Sequence, residues 1–98
     1  MAGESKLQRQ CVKCAENYGL LVRKVHAEGH KGWPDLEIIF KNGETIRFEV
    51  KNPNGNGRLS SAQIREHNKI KNMGAIVHTV ANFDEFFKIL IKHLKSQD

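Results

Sequence analysis

From Ser5 to Tyr18 the apolar side chains Leu7, Cys11, Cys14, Ala15 and Tyr18 recur at helical spacing, with Lys6, Arg9, Gln10 and Lys13 on the other side. This predicts an amphipathic helix ended by Gly19. Leu20 to Val25 is rich in branched residues and predicts a strand, followed by a polar, glycine-containing connection from His26 to Trp33 that Pro34 closes. Asp35 to Phe40 and Thr45 to Val50 flank Lys41 to Glu44, where Asn42-Gly43 tolerates the positive φ of a tight turn, so two antiparallel strands are expected. Asn52 to Arg58 has the composition of a loop. Ser60 or Ser61 can cap a helix that runs to about Asn72 and stops at Gly74. Ala75 to Val80 reads as a strand. Asn82 can then cap a last helix whose Phe83, Phe86, Phe87, Leu90 and Leu94 form one inward stripe. The order helix, three strands, helix, strand, helix has no repeat and no long linker, and it predicts one layered α/β domain over residues 1–98.

The apolar stretches are short. The longest run is three residues, as in Ile38 to Phe40, whereas a membrane span needs roughly 20 and a secretory leader core about 7 to 15. Neither a membrane nor a secretory reading is expected. Sixteen Lys and Arg against eleven Asp and Glu leave a net charge of +5 on 98 residues, a field that concentrates polyanions. Nucleic acid is therefore the leading partner. Two cysteines are too few for a disulfide scaffold and point to a reducing interior or a metal, with the cytoplasm the default expectation.

Glu49 and Lys51 are two apart on a strand and leave the same face, while Val50 points to the other. Pairing across Asn42-Gly43 can carry the carboxylate of Asp35 next to Glu49. Two acids and a base then converge. Alone, such a set can be an ordinary cross-strand ion pair on a sheet surface. Its setting is more specific: Gly32-Trp33-Pro34-Asp35, Phe48-Glu49-Val50-Lys51 and Leu59-Ser60-Ser61-Ala62-Gln63 follow one another in the order of a nuclease pattern.

Through these segments the chain resembles a VRR-NUC (virus-type replication-repair nuclease) domain of the PD-(D/E)xK superfamily, from Glu4 to about Val80. The resemblance implies a restriction-endonuclease-like core, order αβββαβα, with a mixed sheet flanked by helices. It also implies that Asp35 and Glu49 bind Mg²⁺ or Mn²⁺, that Lys51 assists catalysis and that Gln63 completes the site. Glu4, at the start of the first helix, matches a further acid found in many members. The physical reading agrees: a phosphodiester is an anion, and a hard ion bound by Asp35, Glu49 and the Val50 carbonyl would neutralise it. Gln63 lies at helical spacing from Ile70 and close to Met73 on the same side, a polar amide on an inward face.

Arg58, Lys6, Arg9, Lys13 and Lys69 are candidates for contacting phosphates, with Lys71 a further one, and Trp33 is a candidate for stacking on a base or for packing. The implied activity is a DNA endonuclease of a bacterial or phage-infected cell, selective for branched DNA in the manner of a Holliday-junction resolvase and acting as a homodimer. A flap or duplex nickase is the alternative enzyme. A non-enzymatic DNA-binding module is the alternative of another class. Cys11, Cys14, His26 and His30 spell C-x2-C-x11-H-x3-H, close to a zinc-finger spacing. Against that, both cysteines fit the buried stripe of a helix, and a finger leaves Asp35, Glu49, Lys51 and Gln63 without a role.

Overall fold

The computed structural model describes residues 5–52 and 58–97, so Glu4 and most of the glycine-rich stretch before Arg58 lie outside the described residues. The elements are α1 (Lys6–Asn17), β1 (Leu21–Lys24), β2 (Leu36–Ile39), β3 (Thr45–Val50), α2 (Ser61–Asn72), β4 (Ile76–Val80) and α3 (Phe83–Lys95). The expected order αβββαβα is found. The sheet runs β1-β2-β3-β4, antiparallel through β3, with β4 parallel to β3. A parallel neighbour requires a crossover, and α2 supplies it.

Alternation along β3 divides the molecule into two unequal layers. Ile46 and Phe48 face α3, where Phe48 meets Phe86 with ring centroids 4.9 Å apart. With Leu7, Cys11 and Ala15 of α1, Leu36 and Ile38 of β2, and Leu90 of α3 they form the main apolar core. Glu49 faces the opposite way, toward α2. That layer is thin: Ile70 and Val77 are its buried apolar side chains, and Glu49, Glu66 and His67 are buried in the same layer. A polar site can be held there because the other face carries the hydrophobic driving force.

The helix stripes end earlier than the periodicity predicts. Tyr18 caps α1 and is 42% exposed, Met73 caps α2 and is 86% exposed, and Phe83 opens α3 at 36% exposure. Each stands at a helix end, and Tyr18 and Phe83 line one open groove between α1 and α3. Phe83 stacks instead on Phe87 at the surface. At the hairpin only Gly43 takes a positive φ, while the Asn42 side chain accepts from the Glu44 N–H. The N-cap of α2 is Ser60.

Gly32 sets the distance between the loop before β2 and the first turn of α2. Its φ is +99°, and a Cβ there would fall 2.7 Å from the Gln63 nitrogen and closer still to the Ala62 carbonyl. Both neighbours are backbone, so neither can rotate away. Gly32→Ala should therefore lose at least about 2 kcal/mol in urea unfolding. Gly29→Ala, also at positive φ but with open space around it, should lose about 1 kcal/mol. Equal losses would mean that the contact with α2 is not what Gly32 preserves.

Candidate active site

The register of β2 and β3 sets Leu36 opposite Phe48, so Asp35 arrives beside Glu49. Pro34 is buried and fixes the approach, and the Asp35 carbonyl accepts from the Val25 N–H at 2.8 Å. The Asp35 carboxylate accepts from the Val50 N–H at 3.0 Å and is hydrogen-bonded to the carboxyl of Glu49. The pairing expected across the hairpin is present.

Glu49 is 3% exposed. Burial, then the hydrogen bond and the like charge of Asp35, push its pKa from the ordinary 4.5 up to about 9, against the pull of the Lys51 ammonium. At neutral pH Glu49 therefore keeps its proton. Lys51 is held from the other side: its Nζ donates to Gln63 Oε1 at 3.1 Å, and the same oxygen accepts from the Ser60 N–H at 2.8 Å. The Ser60 hydroxyl accepts from the Gln63 N–H, closing a capping box. One side chain thus starts α2 and orients the lysine.

His67 joins this group, although nothing in the sequence pairs it. It is 3% exposed, and its Nε2 lies 3.4 Å from Glu49 Oε1. Neither atom has a hydrogen-bond partner. Burial, then the positive charge of Lys71, lower the pKa of His67, so it stays neutral near pH 7. The signal that could have found it is its place one turn after Gln63, on the same face of α2.

Two carboxyl groups in contact, one of them buried, form an all-oxygen donor set suited to a hard divalent cation, which would supply the missing counter-charge. Among the described residues no three His, Cys, Asp or Glu side chains gather into a metal-binding group. Mg²⁺ tolerates so few protein ligands because it keeps waters and substrate oxygens. The finger-like set fails on geometry and on charge. Cys11 is buried within α1, burial pushes its thiol up to about 12, and Cys14 is raised by the same cause. Neither is poised as a thiolate ligand.

The remaining candidates are spread around the pair. Trp33 and Asp35 line one open cleft with the 25–32 loop, and Trp33 and Lys69 line a second with Arg47 and Met73. Lys69 also pairs with Glu66 at 3.1 Å. Arg58 is exposed just before α2, and Lys71 is exposed on that helix. Lys6, Arg9 and Lys13 are exposed on α1, which packs on the other face of the sheet. The described residues contain no helix long and apolar enough to cross a membrane.

The pH dependence of stability follows from the proton that Glu49 keeps. The folded chain keeps on Glu49 a proton that the unfolded chain releases above pH 4.5, so stability falls as pH rises toward about 9. With divalent ions chelated, the fall should be visible between about pH 7 and 8, above the ordinary histidine range and below that of thiols. Glu49→Gln should flatten it, as read by thermal melts across that range. An unchanged slope in the variant would mean that the proton resides elsewhere.

No protein-family model matches this sequence, and no curated protein does. Among solved structures, one described as "VRR_NUC domain" is similar over 90% of this chain and 92% of its own, with 36% identity and a TM-score of 0.78. Another, a "VRR_NUC domain protein", shares 15% identity and the fold, with a TM-score of 0.67 over 95% of this chain and 92% of its own.

Proposed function

This chain belongs to the VRR-NUC family of nuclease domains, and we propose that it is a Mg²⁺- or Mn²⁺-dependent DNA endonuclease that cuts branched DNA. The observation that supports the reading most is the contact between Asp35 and Glu49 beside an anchored Lys51. A surface ion pair has no need of a buried carboxyl set against a second one. A site that must receive a dication does.

In this reading Asp35, Glu49 and the Val50 carbonyl would hold the ion, which when bound would neutralise the scissile phosphate and lower the pKa of a water so that its hydroxide can attack. Asp35 is kept in place by the Val50 N–H, so its carboxylate stays in register with that of Glu49. Lys51 directs its ammonium at the charge that grows on the phosphoryl oxygens. Gln63 positions Lys51 by accepting from its Nζ, while Glu4, outside the described residues, is read as a further acid.

Recognition of DNA is assigned to the cationic surface. Arg58 and Lys69 flank the site from the α2 side, and Lys6, Arg9 and Lys13 offer phosphate contacts from α1. Trp33, in the cleft that also holds Asp35, is placed to stack on a base. Residues 1–98 are read as one nuclease domain with a single site. A four-way junction needs two symmetric cuts, which a homodimer of single-site chains delivers. DNA and the free thiols Cys11 and Cys14 both suit the reducing cytoplasm of a bacterial or phage-infected cell.

The test compares four-way junction, flap and linear duplex cleavage by one preparation, with Mg²⁺, with Mn²⁺ and with chelator. Cleavage should need the ion and be fastest on the junction, and equal rates on all three would remove the junction preference. Asp35→Ala and Glu49→Ala should abolish cutting while retaining DNA binding in a gel-shift assay. Lys51→Met should slow cutting by about 10²-fold or more. Gln63→Ala should slow it less, since the ammonium remains but loses its anchor. Turnover retained in either purified carboxylate variant would overturn the assignment.

A further inference from the structure

The geometry points to His67 as the positioning residue of Glu49: we propose that its Nε2–H holds Glu49 Oε1, leaving the other carboxylate oxygen to face the metal. The inference rests on the metal-dependent reading of the site given above.

It begins with the way α2, packed on β4, reaches the neighbouring β3 through its side chains. Arg47 and Glu49 of that strand, and Lys51 just past its end, alternate onto the α2 side. Gln63 and His67 are one helical turn apart, so both turn to the same strand. Lys51 meets Gln63 and Glu49 meets His67, with separations of 3.1 and 3.4 Å. The two contacts are rungs of one ladder. In the first rung the helix residue has a known task, since it holds the amine. The second rung has the same form, and a carboxylate needs the converse partner, a donor.

His67 carries the donor that Glu49 lacks. Buried polar atoms are almost always paired, yet Glu49 Oε1 and His67 Nε2 are both buried, without another partner, and within reach of each other. Leaving both unpaired would cost the desolvation of each. A small rotation of either side chain closes the gap. A neutral imidazole with its proton on Nε2 donates to Oε1, and a carboxylate gripped by one oxygen can present only the other.

Direct ligation by the ring is the competing role. It is disfavoured because His67, Glu49 and Asp35 do not gather into a three-ligand group among the described residues. Hard ions of this class also prefer oxygen to nitrogen. Outer-shell donors to ligating carboxylates are a general feature of metal sites, and their loss lowers affinity about 10–100-fold.

The decisive comparison is His67→Gln with His67→Met in the whole chain without DNA. The two replacements have nearly the same length and volume, and only Gln keeps an N–H. Mn²⁺ binding, read from the loss of the free-ion electron paramagnetic resonance signal, should weaken about 10-fold or more in His67→Met. His67→Gln should recover most of it. Thermal melts verify that both variants fold, and His67→Leu replaces the Met variant if that one does not. Glu49→Gln serves as the reference for the site itself. If Glu49→Gln loses Mn²⁺ while His67→Met binds like the parent, the positioning role is wrong and the metal site stands. If Glu49→Gln also binds like the parent, the metal site is wrong and the positioning role falls with it. A directly bonded nitrogen coupling in pulsed spectra of bound Mn²⁺, lost in His67→Met, would overturn positioning in favour of ligation.

Discussion

The contact on which the molecule turns is that between two carboxyl groups, one of them in a place where a carboxylate should not be. Asp35 is carried to Glu49 by strand pairing, and Glu49 is buried, so its charge cannot be hydrated at small cost. Burial, then the hydrogen bond and like charge of Asp35, push Glu49 up to about 9, and a retained proton relieves both. A dication would relieve them more completely. The fold thus stores an electrostatic demand that the proposed divalent ion would meet.

Such a demand has to be held by something stronger than itself, and the division of the sheet provides it. Phe48 and Glu49 are neighbours in the chain with opposite fates: one packs against Phe86 in the apolar core, and the other enters a thin polar layer. The apolar face anchors the strand, so the polar face is free to be shaped by chemistry. α2 finishes the arrangement with a capping box that orients Lys51 and with a histidine that looks into the carboxylate. Gly32 lets the loop carrying Asp35 approach that helix at backbone distance.

Much of this was legible without coordinates. The element order, the hairpin at Asn42-Gly43, the common face of Glu49 and Lys51 and the approach of Asp35 all follow from periods of 2 and 3.6 and from turn chemistry. Helix ends were less legible, because a period says which way a residue points and not whether a sheet lies beneath it. Tyr18, Met73 and Phe83 continue their stripes to the helix ends and emerge at the surface. His78 and His93, with no partner apparent in the chain, meet at 3.3 Å between β4 and α3.

The sequence by itself determined which chemical groups exist, the face of its element that each occupies, and the pairing of β2 with β3, since these depend on local geometry and short loops. Only the tertiary structure decided how α2 settles on the sheet. That placement makes Gln63 a holder of Lys51, sets His67 against Glu49 and buries the carboxyl deeply enough to keep its proton. The reason is that burial and through-space contact depend on where separate elements dock, and docking is a property of the packed whole that no local period records.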